Sequence, residues 1–153
     1  MANTYTQLII HGVFAVKNRN AVIAKDWQDE LFSYIGATLN EMGHRNLLVN
    51  GVADHVHILF GMKPTLALSD TMRDVKANAS KWLNESGKLK NRFEWQIGFG
   101  GFSVSKTHVD AVFNYIKTQE EHHRKVTFRE EYLTLLKKND VVFEEKWVFE
   151  DLL

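Results

Sequence analysis

The chain has 153 residues, 44% of them hydrophobic, which suits a single domain over residues 1–153 with a proper core. Lys and Arg number 19 against 19 for Asp and Glu, so no global basic excess announces a nucleic-acid binder, although a local basic face would still serve one. Cysteine is absent, which excludes disulfides and thiolate metal sites and suits a reducing cytoplasm; no apolar run approaches ~18 residues and the polar start carries no signal-like segment, so neither a membrane span nor secretion is expected.

Residues 8–16 are apolar and β-branched and read as a first strand, ended by the polar Lys17-Asn18-Arg19-Asn20. Asp26 can cap a helix running to about Met42, with Leu31, Ile35, Leu39 and Met42 as its buried stripe and Gly43 just past its end. Residues 46–52 read as a second strand, and a short turn at Ala53-Asp54 leads into a third, so the two are expected to form an antiparallel hairpin. After Pro64, the only proline, Ser69 or Asp70 can cap a second helix to about Asn84, with Met72, Val75, Ala79 and Trp82 on one face. Residues 93–104 mix aromatics with glycine and read as a broken strand with a bulge or loop. Thr107 with Asp110 starts a helix, and Thr127 with Glu130 is a fuller capping box for a last one through about Lys138. The tail, residues 141–143 and 147–149, reads as short strands or as an arm packing on a partner. No linker, repeat or low-complexity segment divides the chain. The order β-α-β-β-α-β-α predicts an α+β fold, ferredoxin-like (split βαβ), with an antiparallel sheet and helices on one face. The other face would be open to nucleic acid or to another sheet.

The third strand carries Asp54-His55-Val56-His57-Ile58-Leu59-Phe60. Alternate strand residues share a face, so His55 and His57 stand side by side while Val56 and Ile58 turn into the core. Two imidazoles on a rigid strand make half of a divalent-metal site; alone, the pair reads more readily as two half-exposed histidines on a solvent face. The other half lies in the helix after Thr107. Val109, Val112, Phe113 and Ile116 recur at the spacing of one buried face, and Tyr115 and Gln119 fall together on its flank, one turn apart. Tyr115 alone would be an amphipathic packing residue and Gln119 a surface one.

Together these segments resemble the HUH-type single-tyrosine transposases of the smallest bacterial insertion sequences, the IS200-like family, which move as single-stranded DNA. The resemblance spans nearly the whole chain: His11-Gly12-Val13-Phe14 leading into Lys17-Asn18-Arg19, the His55-Val56-His57 strand, residues 98–105, and above all Tyr115-x-x-x-Gln119-x-x-His122-His123. A His-x-His alone is weak, and so is Tyr-x-x-x-Gln; both in this order, in a domain of this size, are strong. The resemblance implies Tyr115 as nucleophile, and His55, His57 and Gln119 as ligands of a catalytic Mg2+ or Mn2+. It further implies cleavage and rejoining of single-stranded DNA at hairpin-bearing element ends. It also implies a homodimer whose active sites are built from the histidines of one subunit and the tyrosine helix of the other.

That chemistry fits these residue types. A phenol of ordinary pKa about 10 must approach phosphorus as a phenolate-like oxygen, and the charge developing on the phosphoryl oxygens must be neutralised. Neutral ligands would leave a divalent ion's charge for the phosphate, and a 5′-phosphotyrosine would conserve the bond for rejoining without a nucleotide cofactor. His122 is the fallback ligand should Gln119 fail; His11, His44 and His108 are assigned no role. The aromatics at 93, 95, 99 and 102 are expected in the core rather than stacked on bases, and Lys76, Lys81, Lys88, Lys90 and Arg92 read equally as a phosphate-binding face or a solvated edge. Two other readings stand beside the transposase: a domesticated relative that nicks hairpins at dispersed repeats, and a non-catalytic nucleic-acid-binding module on the same sheet.

Overall fold

Four strands form one antiparallel sheet in the order β2-β3-β1-β4: β1 Ile9–Ala15, β2 Arg45–Val52, β3 His55–Gly61 and β4 Gly100–Val104. The structure, a computed structural model, describes residues 3–148. Helix α1 (Gln28–Glu41) links β1 to β2, and α2 (Leu68–Ser86) links β3 to β4. Each of these two crossovers skips one strand, which is the split βαβ arrangement the element order predicts.

The period of two along β1 and β3 sorts the sheet into two faces. On one, Phe14, Val56, Ile58 and Phe60 meet Leu31, Ile35 and Leu39 of α1 and Met72, Val75, Ala79 and Leu83 of α2. Each large side chain fully buried there contributes about 1.5–3 kcal/mol by leaving water. The opposite face is apolar too, at Val13, Ala15, Leu59, Phe102 and Val104, and it is not left open. Helix α3 (Val109–Lys117) covers Leu59 and Val104 through Ile116, and α5 (Phe128–Lys138) covers Val13, Ala15 and Phe102 through Phe128 and Leu136. The βαβ helices thus keep to one face as expected, while the C-terminal helices occupy the face the sequence left free. An apolar sheet surface of that size is stabilised by cover.

The ends of the elements differ from the expected ones in instructive ways. No side chain caps α1 or α2; Trp27 and Ala67 hold the capping positions, not Asp26 or Ser69. Gly43 (φ 100°) and Gly87 (φ 74°) follow the two helices in the left-handed conformation that ends a helix without a Cβ penalty. At α5 the cap of the predicted capping box forms, with the Glu130 amide donating to Thr127 Oγ1 at 3.2 Å, while the Glu130 carboxylate accepts from the Thr127 hydroxyl at 3.0 Å. In the aromatic segment Phe93, Trp95 and Phe102 are buried, and Lys76 Nζ donates to the carbonyls of Gln96 and Gly98 at 2.8 and 2.7 Å. These three rings therefore serve the core and Lys76 pins the glycine turn, whereas Phe99, expected in the core, is exposed. The tail forms a short helix, α6 (Glu145–Val148), and Phe143 and Val148 pack onto the α5 cluster of their own chain; Phe149 lies outside the described residues.

His44, before β2, is buried and polar. Its Nδ1 accepts from the Lys63 amide at 3.0 Å, and its Nε2 lies 2.8 Å from Thr71 Oγ1, whose own proton goes to the Ala67 carbonyl at 3.1 Å. This network needs a neutral ring protonated on Nε2. Burial, then the positive charge of Lys63, lowers the pKa of His44 from the ordinary value of 6.5. The unfolded chain therefore binds this proton more readily, so the stabilisation is complete above about pH 6.5 and is lost as the pH falls below it. The midpoint of urea unfolding should drop between pH 7.5 and pH 5, and drop less in His44→Gln. Equal drops in both proteins would contradict this account of His44.

Candidate active site

His55, His57 and Leu59 project from β3 onto the face covered by α3 and α5, and both histidines are fully buried. The solvent-face reading of the pair is thereby removed. Each imidazole is held from outside through Nδ1: His55 by Asp54 Oδ1 at 2.7 Å, His57 by His11 Nε2 at 2.8 Å. Both therefore present Nε2 to the same point, an outer arrangement that fixes tautomer and orientation in metal-binding histidines.

Helix α3 ends at Lys117 because Asn50 of β2 intercepts it. Asn50 Nδ2 donates to the carbonyls of Ile116 and Lys117 at 2.9 and 3.2 Å. Thr118 breaks the helical path, and a short helix, α4 (Gln119–His122), follows. The break turns Gln119 inward. It is fully buried, with Oε1 3.2 Å from His55 Nε2, whereas helical periodicity placed it at the surface.

Glu131 of α5 completes the cluster. Its Oε1 lies 3.1 Å from Nε2 of both His55 and His57 and 2.9 Å from Nε2 of His123. Its Oε2 accepts from Gln119 Nε2 at 3.1 Å and from the Tyr115 hydroxyl. One ligand atom from each of His55, His57, His123 and Glu131 lies within 4.8 Å of all the others. Three imidazole nitrogens and a carboxylate oxygen, with two of the imidazoles oriented from behind, fit a divalent ion with mixed nitrogen and oxygen donors. His123, not His122, turns into this set; His122 stays on the rim, 3.9 Å from Glu131.

Electrostatics follow from the burial of so many titrating groups. Burial lowers His11 to about 3 and His57 to about 4, so both are neutral at physiological pH. Burial also opposes protonation of His55, but the Asp54 and Glu131 carboxylates outweigh it and raise its pKa. Burial works against the charge of Glu131, yet hydrogen bonds from His123, His55 and His57 hold its pKa well below the carboxylate range. Burial, then the Glu131 charge, raises the Tyr115 phenol. The nucleophile candidate therefore sits where positive charge is needed to ease loss of its proton.

The four residues singled out from sequence, Tyr115, His55, His57 and Gln119, thus meet in one place. The Tyr115 and His57 rings lie 5.9 Å apart. Sequence reasoning missed Glu131, His123 and His11. For Glu131 a signal existed: a charged residue three places after Phe128 on the buried stripe of α5.

Residues 4–119 match a family model described as IS200-like transposase. The chain belongs to the IS200-like transposase family. Two solved structures share the fold. A protein from Deinococcus radiodurans R1 assigned as a transposase superposes with a TM-score of 0.63 at 19% identity, over 78% of this chain and 95% of that one. A REP-associated tyrosine transposase bound to a REP hairpin superposes with a TM-score of 0.60 at 15% identity, over 82% and 74%. No curated protein matches the chain.

The family match contains Tyr115, His55, His57 and Gln119 and stops before His123 and Glu131. A surface cleft of about 620 Å³ reaches this cluster at Tyr115 and Glu131, and is lined also by His11, Phe102, His108, His122 and Lys138 among others. No helix among the described residues is long and apolar enough to cross a membrane.

Proposed function

We propose that this chain cleaves and rejoins single-stranded DNA at hairpin-bearing element ends, with Tyr115 as the nucleophile. The observation that carries the reading is the convergence of the Tyr115 hydroxyl with the buried His55, His57 and Gln119 around Glu131, beside a cleft that Tyr115 and Glu131 line. A phenol needed only for packing would be as well served by phenylalanine.

In this reading His55, His57 and Gln119 would hold one Mg2+ or Mn2+, which would supply positive charge to the scissile phosphate. Asp54 and His11 keep the two imidazoles facing inward. Tyr115 Oη attacks phosphorus, and the bond to the 3′-oxygen breaks. The phenol loses its proton, the leaving 3′-oxygen gains one, and the 5′-phosphate remains on the tyrosine. A 3′-hydroxyl from a second strand can later displace the tyrosine, which restores the phenol and joins the strands. The ring of Tyr115 is fixed by contacts with His57 and His122, so the attacking oxygen is positioned before the strand arrives.

Single-stranded substrate follows from the depth of the site, because a paired backbone is stiff whereas an unpaired strand enters a pocket at low cost. The hairpin is suggested by the ligand of the similar REP-associated transposase. The same likeness favours a second reading, a domesticated enzyme that nicks hairpins at dispersed repeats; palindromic ends flanking the reading frame would separate the two. A homodimer also belongs to the proposal. In it each site is complete in one chain unless α3 is exchanged.

Labelled oligonucleotides test the reading. A hairpin followed by a single-stranded flank should be cut when Mn2+ is present, and its fully paired counterpart should be cut at least about tenfold less. Equal cutting of both, or cutting that persists in a chelator, would contradict it.

A further inference from the structure

We propose that Glu131 is an anionic ligand of the metal ion through Oε1, while its Oε2 holds Tyr115 and Gln119 in their working positions. This rests on the metal-assisted reading above and adds to it a residue beyond the matched family segment.

Three observations carry it. Three imidazole Nε2 atoms from two β3 residues and His123 converge on a single carboxylate oxygen at 2.9 to 3.1 Å. That carboxyl is 2% exposed, and a buried charge persists only where it is paired or coordinates a metal. Finally, the two oxygens divide the neighbours cleanly. Oε1 faces the ring nitrogens, and Oε2 accepts from the nucleophile and from the Gln119 amide. Because Gln119 Nε2 is engaged by Oε2, its Oε1 is turned toward His55, where it can face an ion.

The geometry links two functions that separate residues would otherwise perform. With an ion held at Oε1, the same carboxyl group would tie the ligand set to the Tyr115 hydroxyl that Oε2 holds. An anionic ligand would also change the balance expected from neutral donors alone: it would hold an ion more tightly and leave less net charge for the phosphate.

Mn2+ titration, with free Mn2+ followed by electron paramagnetic resonance, tests this on the wild type, His55→Ala and Glu131→Gln, each checked for folding by circular dichroism. Glutamine matches the carboxylate in size and can still accept from Tyr115, but it removes the charge and turns an amide NH2, which cannot ligate an ion, toward the ring nitrogens. We expect wild type to bind, His55→Ala to lose binding, and Glu131→Gln to bind at least about tenfold more weakly. Unchanged affinity in Glu131→Gln, with binding lost in His55→Ala, would overturn the role of Glu131 and leave the metal site intact. Absence of binding in wild type, or its survival in His55→Ala, would instead overturn the metal-assisted reading itself. Should Glu131→Gln fail to fold, Glu131→Asp replaces it: the charge stays but is one methylene short, and undiminished Mn2+ affinity there would equally overturn the proposal.

Discussion

His57→Ala is expected to lower strand cleavage by roughly 10²- to 10³-fold. A metal ion contributes several kcal/mol of charge stabilisation to a phosphoryl-transfer transition state, and each 1.36 kcal/mol is tenfold in rate. In the proposed site His57 would be a buried, neutral ligand held by His11 from behind. Its loss also removes a hydrogen-bond partner of Glu131, so thermal unfolding must be measured alongside cleavage. The expected pattern is a folded protein without Mn2+ binding and with cleavage near background. Retained cleavage at a rate within about threefold of wild type would remove His57 from the mechanism.

Tyr115→Phe should be the more selective lesion. It keeps the ring in contact with His57 and His122 and deletes only the hydroxyl. The lost hydrogen bond to Glu131 costs up to about 3 kcal/mol of stability. DNA binding should stay within about twofold, and covalent attachment should fall below detection. Undiminished cleavage would mean another nucleophile, and would favour a non-catalytic role for this helix. Mixing Tyr115→Phe with His57→Ala protein adds a second result. The arrangement within one chain predicts that the mixture stays inactive, whereas recovered cleavage would show that subunits exchange α3.

What could be read from sequence, and what could not, divides along the line between local and tertiary order. The β3 pair was legible because a strand's period of two puts His55 and His57 on one face whatever the rest of the chain does. The stripes of α1 and α2 were legible for the same reason at the helical period. Gln119 was found by its spacing from Tyr115, but its burial was not, because the break at Thr118 depends on Asn50, which lies on another strand. His11 was passed over because its role depends on β1 pairing with β3 in the register that places Val13 opposite His57. A single strand's pattern does not name its neighbour. Glu131 stood next to Glu130, whose capping role was plain, and the capping signal drew the reading away from the buried position. The cover of the second sheet face likewise follows from how α3 and α5 dock, which propensity does not determine.

The central claim is that Tyr115 becomes covalently joined to a DNA 5′-phosphate, and mass spectrometry of the trapped complex tests it most directly. Wild-type protein would be incubated with Mn2+ and a hairpin-bearing single strand, then digested with nuclease and trypsin. The account predicts a nucleotide adduct on the peptide from Thr107 to Lys117, located at Tyr115 and absent from the Tyr115→Phe digest. An adduct on any other residue, or efficient cleavage with no adduct at all, would contradict it.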